Sequence, residues 1–303
     1  MEAADAPHSG VLNLLRRSRL LSLVAAKSAR PLREALDLHF ARSHAVASTP
    51  GRRLASRWVA RIIGVAALAG LAYGVVRMLT LALGVTWPDL RTIFLGAGAT
   101  FLRVEFVLVL AGLWTIPIGT VIGLHPRLSA LAQPIAQIAA SVPATALFPI
   151  ILLVLIRAGG GLGIGSIVLL LLGTQWYILF NVIAGASAIP TDLREVCDVY
   201  HLTRKERWQK LFLPGIFPYL ITGFVTASGG AWNASIVAEY FHFRGQTFST
   251  VGLGAVISQA TDSGNFRMLL VATLVMAMIV VTINRLLWRR LYALASSRFK
   301  LEA

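Results

Sequence analysis

The run LFLPGIFPYLITGFVTASGGAWNASIVA, residues 211–238, contains no Asp, Glu, Lys or Arg. About 17–25 such residues suffice for a helix to cross the hydrocarbon core of a bilayer. Four other runs are charge-free in the same way: 106–126, 128–156, 158–191 and 268–284. A sixth apolar stretch, 62–76, continues past Arg77 from Met78 to Leu83. Strands of a membrane barrel alternate apolar and polar residues over about ten positions. These runs are continuous, so helices are the remaining way to satisfy the backbone in lipid. Six spans are predicted, over 60–84, 102–124, 134–156, 162–188, 216–238 and 267–288. The fold class is therefore all-α, a polytopic membrane protein with six transmembrane helices.

Composition points the same way. The chain is 56% hydrophobic and 14% charged, against roughly 25% charged in soluble domains. Cys197 is the single cysteine, so no intrachain disulfide and no cysteine metal cage can form. The six histidines show no HxxxH spacing. No metal and no cofactor are expected. A net charge of +15 would point to nucleic acid in a soluble protein. Here the placement of the charges decides, and no nucleic-acid partner is expected.

With the N-terminus inside, the inner segments are 1–61, 125–133, 189–215 and 285–303. They hold 11, 1, 5 and 5 Lys and Arg, or 22 of the 28. The outer segments hold five: Arg91, Arg103, Arg157, Arg244 and Arg267. The positive-inside rule then places both termini in the cytoplasm. Discounting the long tail, 11 inner cations still outnumber the five outer ones. Arg77 lies in the first span, where its stem can carry the charge outward.

Residues 1–58 form a basic N-terminal tail, 59–295 the membrane domain and 296–303 a short C-terminal tail. In the first tail, Arg16, Arg17 and Arg19 precede a seven-residue apolar stretch ending before Lys27. A partly helical segment lying on anionic lipid and plain disorder both fit it. Pro50-Gly51 reads as the hinge into the first span.

Segment 190–214 is the strongly charged stretch between two spans. Pro190 ends the fourth span, and Thr191 or Asp192 can cap a new helix. Leu193, Val196, Val199 and Tyr200 share one face of that helix. Thr203 can cap a second helix, with Glu206 completing a capping box. Trp208, Leu211 and Phe212 form its apolar face. Two short amphipathic helices thus meet near His201-Leu202. Such an element can lie on lipid, pack internally, or insert into a partner's groove.

Glu195, a break at the seventh position and a later Leu213-Pro214 resemble the EAA loop of the permease subunits of bacterial ABC importers. That motif reads Glu-Ala-Ala, three residues, Gly, then about nine residues to an Ile-x-Leu-Pro ending. Ser235-Ile-Val-Ala-Glu-Tyr, Val251-Gly-Leu-Gly and Asp262 are similar to the fifth span and following outer loop of the nitrate, sulfonate and taurine group. The resemblance covers roughly residues 60–295. It implies a type I importer permease in the bacterial inner membrane, built as one copy of a unit that some relatives carry twice. It also implies that Glu195, Val196, Cys197, His201, Leu202, Trp208, Leu213 and Pro214 belong to a coupling loop docking on an ABC ATPase subunit. A second permease copy or a homologous permease, an extracytoplasmic substrate-binding protein and the lipid bilayer complete the implied partners. Val196-Cys197 stand where the motif has Ala-Ala, and His201 where it has Gly. Glycine permits the turn between the two helices, so a different bend is expected here.

Polar groups inside spans are costly and invite a functional reading, though many only bond neighbouring helices. Gln175, Asn181, Asn233 and Glu239 qualify, as does Asn284. Ser141, Pro143, Thr145 and Pro149 mark span three as a kinked helix whose freed carbonyls can line a pathway or serve packing alone. The glycines at 159–161, 163 and 165 lack the Lys-Ser/Thr of a phosphate loop and read as a tight outer turn. Segment 248–260 reads as a short re-entrant or interfacial helix. His242 and Arg244 can attract an anion, or simply face water. The chain carries no nucleotide motif, so ATP hydrolysis is assigned to a partner and the chain itself is not read as an enzyme. A secondary transporter would pair charges at midplane, and a membrane enzyme would cluster His, Asp or Glu at one depth. Neither pattern is present.

Overall fold

The computed structural model describes residues 50–157, 159–243 and 245–298. The tail 1–49, Ala158, Arg244 and the end 299–303 lie outside the described residues. Two compact units separate at Val76 and Arg77. The first is described only where α1 (Pro50–Leu83) begins. Pro50-Gly51 is not a hinge but the first turn of that helix, where the fixed φ of proline is already helical.

Among the described residues, five helices are long and apolar enough to cross a membrane, and six if one bent pair counts as a span. The second, α2 (Trp87–Leu124), has 38 residues and at 1.5 Å per residue runs about 57 Å. It exceeds the roughly 30 Å hydrocarbon core. The loop expected at 85–101 is therefore mostly helix. Its start is built from local chemistry: the Thr86 backbone N–H donates to Asp89 Oδ2 at 3.1 Å, and the Thr86 hydroxyl donates to the same oxygen at 2.7 Å.

Span three breaks rather than kinks. α3 (Pro126–Ser141) and α4 (Ala144–Arg157) meet at 77° across Val142-Pro143. Proline removes a helical donor and disfavours the α conformation of the residue before it. α5 (Leu162–Ser187) is the central helix and packs along both α2 and α8 (Leu213–Ala238). Glycine allows that closeness. A Cβ at Gly123 of α2 would lie 2.7 Å from Ala186 Cβ, and one at Gly223 of α8 would lie 3.1 Å from Ile178 Cα. Without a hydrophobic driving force between helices in lipid, such small-residue contacts supply the packing.

Between α5 and α8 lie α6 (Thr191–Val199), α7 (Arg204–Arg207) and a π-helical turn, Trp208–Phe212. After α8 comes an antiparallel hairpin, β1 (Tyr240–Phe243) with β2 (Gln246–Ser249), pairing Phe241 with Phe248. This small sheet departs from the all-α expectation. The short helix follows it as α9 (Leu253–Asp262), so Phe248 to Gly252 are not helical. α10 (Phe266–Ile283) continues through a π turn, Asn284–Trp288, into α11 (Arg289–Arg298).

Candidate functional site

The 190–214 loop is anchored on one side and open on the other. Pro190 is the N-cap of α6, without a side-chain cap bond, so neither Thr191 nor Asp192 caps it. Asp192 instead sits in the first turn, where a carboxylate meets the positive end of the helix. Cys197 is buried in the core cluster and Arg194 is half-buried. Arg194 Nη1 donates to the Leu124 carbonyl at the end of α2 over 3.0 Å. Leu193, Val196, Val199 and Tyr200 all point outward, the last two each 74% exposed.

His201 keeps the turn that the motif gives to glycine. Its φ is +49°, the one positive φ among described non-glycine residues. Its N–H donates to the Asp198 carbonyl at 3.0 Å, and the Leu202 N–H to the Cys197 carbonyl at 3.0 Å. Together these form a Schellman cap. Leu202 then packs on the buried cluster containing Cys197. The different bend expected from His is not found: the left-handed turn is retained, at a steric cost of about 1–2 kcal/mol. His201→Gly is expected to relieve about 1 kcal/mol of it, less the added freedom of the unfolded chain. His201→Val should worsen it. Limited proteolysis of the loop should order the three as Gly, His, Val from slowest to fastest cleavage.

α7 is capped as the sequence indicates. The Thr203 N–H donates to Glu206 Oε2 at 3.0 Å, and the Glu206 N–H to Thr203 Oγ1 at 3.4 Å. Arg207 fastens α7 to α6 through Asp198 at 2.7 Å and the Leu202 carbonyl at 2.9 Å. Leu211 is buried, and Trp208 meets Phe212 edge to face at 5.9 Å. Leu213 is exposed and Pro214 half-buried where α8 begins. Glu195 is exposed, with no bond to another described residue.

The polar residues assigned to a pathway divide. Ser141, Pro143 and Thr145 are exposed at the break between α3 and α4, and Asn233 is exposed on α8. Thr222 and Thr226, which sequence reasoning did not single out, share its outward side. Their spacings of four and seven are the signal that was available. Gln175 is 8% exposed and turned inward. Asn181 donates to the Tyr177 carbonyl at 2.7 Å, a bond within its own helix.

Glu239 does not line an open path. It is fully buried. It accepts from the Thr100 hydroxyl at 2.7 Å, the Gly254 N–H at 2.8 Å and the Arg103 guanidinium. Thr100 Oγ1 in turn accepts from the Leu253 N–H at 2.8 Å. The first two amides of α9 are thereby capped by side chains from α2 and from the end of α8. Nearby, His242 Nε2 and the Tyr240 hydroxyl each donate to Asp262 Oδ2 at 2.8 Å. These donors hold the Asp262 carboxyl below the usual carboxylate range.

Residues 115–300 match the family model described as binding-protein-dependent transport system inner membrane component. The nitrate import permease protein NrtB of Leptolyngbya laminosa is 28% identical over 64% of this chain and 66% of its own length. The bicarbonate transport system permease protein CmpB of Synechococcus elongatus is 29% identical over 46% of this chain and 49% of its own. The taurine transport system permease protein TauC of Escherichia coli is 25% identical over 56% and 58%. The chain thus spans about half to two thirds of these curated relatives. Among solved structures, the MetNI methionine ABC transporter, in inward-facing conformations, superposes with a TM-score of 0.58 at 18% identity. That match covers 70% of this chain and 99% of the other.

Proposed function

Because the chain belongs to the family of binding-protein-dependent transport system inner membrane components, we propose that it is the permease subunit of an ATP-driven importer for a small anion. The observation that carries this reading is the 190–214 loop. Its short helix is fastened to the body by Cys197, Arg194 and Leu211 and presents Leu193, Val196, Val199 and Tyr200 outward. An apolar helix face held on a rigid base is what a partner's groove accepts. The partner is an ABC ATPase subunit on the cytoplasmic side, the side on which the Lys and Arg count places the loop and both termini. Closure of two ATPases would push two such loops and tilt α5 and α8 to switch access.

The pathway forms where two permeases meet, either two copies or this chain with a homologue. The exposed polar side of α8 (Thr222, Thr226 and Asn233) and the α3–α4 break at Ser141 and Thr145 supply its wall. A substrate-binding protein delivers solute at the opposite end, beside the hairpin and α9. Nitrate, bicarbonate and taurine, the solutes named for its relatives, all carry an oxyanion group and support this reading. Purified alone, the chain should hydrolyse no ATP. Co-expressed with the matching ATPase and binding protein in vesicles, it should retain the ATPase and import anion only with ATP. Ion-driven uptake by the chain alone would overturn the reading.

A further inference from the structure

Arg194 has a charge that the described structure does not balance. No described Asp or Glu oxygen lies within ion-pair distance of it, and its hydrogen bond to the Leu124 carbonyl is its only one to a described residue. Its Nε is enclosed without an acceptor. A half-buried guanidinium with five donors is costly to leave so poorly served. Next to it lies a cavity of about 510 Å³, framed by the end of α2, the first two turns and middle of α3, the end of α5 and the start of α6.

The lining chemistry is one-sided. Arg194 supplies the only formal charge, and Ser129, Gln133, Gln137 and Ser187 supply neutral polar groups. Ser129, Gln133 and Gln137 recur every fourth residue, so they stand on one face of α3. Gln133 donates to Ser129 Oγ, which leaves the Ser129 O–H free to donate. The Gln137 amide has no partner among the described residues. The Ser187 hydroxyl is committed to the Gly123 carbonyl at 3.1 Å. On the other side of Arg194, a second cavity of about 380 Å³ carries Glu195, Asp198 and Arg207, so its charges are mixed, whereas the lining of the first holds no carboxylate.

We propose that the first cavity is a binding site for a small oxyanion, held by the Arg194 guanidinium with the Ser129 hydroxyl and the Gln133 and Gln137 amides. A planar guanidinium matches two oxygens of such an ion at once. Its residues on α3 continue the face that carries Ser141 at the pathway wall, and its ligand class follows from the cavity alone. Arg194 is also the neighbour of Glu195 in the outward-facing helix. An anion there would complete the bonds of Arg194 and stiffen α6 against α2 and α3, so occupancy and loop position become linked. The ion is either solute leaving the pathway, which rests on the permease reading, or free phosphate.

The test is thermal melting of the full-length chain in detergent with nitrate, bicarbonate or phosphate, at ionic strength held constant with gluconate. A saturable rise in Tm is expected for at least one of them. Arg194→Gln should abolish it. Gln137→Glu, which puts a carboxylate into the lining from the exposed side of α3, should weaken the apparent affinity about tenfold or more, and it serves if the Arg194 variant does not fold. Preference for nitrate or bicarbonate identifies departing solute, and preference for phosphate identifies a separate effector; both uphold the site. No saturable rise with any of the three, or an equal rise in both variants, overturns it. A flat melt with intact ATPase retention rejects the anion site while leaving the permease reading in place.

Discussion

Val199→Asp is expected to strip the ATPase partner from the permease while leaving the permease folded. Val199 is 74% exposed at the end of α6 and stands outside the buried cluster. Surface changes of this kind alter stability by about 0.5 kcal/mol or less, so the chain's own melting should hardly move. In a docked complex the same side chain would be covered. A carboxylate buried there without a partner costs several kcal/mol. Co-purified ATPase should fall about 100-fold. Val196→Asp should do the same, whereas Thr247→Asp, on the far hairpin, should not. Glu195→Lys should also weaken retention, since Glu195 is exposed and has no bond within the loop. Full retention of the ATPase by the Val199 and Val196 variants together would remove this face from the docking surface.

The sequence shows most clearly those parts of the fold that depend on neighbours along the chain. The apolar runs identify spans because lipid asks only for length and absence of charge. The capping box at Thr203 and Glu206 is legible for the same reason: its members stand three residues apart. The start of α2 was equally local and was missed. Asp89 and Arg91 interrupt the apolar pattern, so the segment read as loop. Yet Thr86, Pro88 and Asp89 carry a capping box and a proline in the first turn. The turn at His201 shows the opposite limit. The motif predicted trouble from losing glycine, but two backbone bonds and the packing of Leu202 hold histidine in the left-handed region. Tertiary context overrode a local preference.

Glu239 was misread because its partners are remote in sequence. A lone carboxylate at the end of a span looks like a pathway group until Arg103, 136 residues away, is placed beside it. Arg103 itself looked like a loop cation. Arg194 escaped notice differently: it was one of five cations in a charged loop, and only the structure shows that Asp198 belongs to Arg207 instead. The pattern is physical. Sequence periodicity reports which face of an element is apolar, but the partner of a buried charge depends on which helices pack together.

Glu239→Ala is expected to be the most destabilising single change in the second unit. The carboxylate is fully buried and joins α2, the end of α8 and the start of α9. Its removal leaves the Arg103 guanidinium, whose side chain is only 11% exposed, with the Val251 carbonyl but no counter-charge, and leaves the Gly254 N–H without its acceptor. Breaking a buried pair by deleting one partner typically costs about 3–5 kcal/mol. The loss should appear as a lower Tm in detergent and faster cleavage between Glu239 and Asp262. Arg103→Met in the same chain should recover part of it, since the uncompensated charge is then gone. Recovery should be incomplete, because Thr100 and the amides at the head of α9 still lack their carboxylate. A double-mutant cycle separates these contributions. Additive effects of the two substitutions would mean that the ion pair contributes nothing of its own and that Glu239 acts only as the acceptor for Thr100 and Gly254.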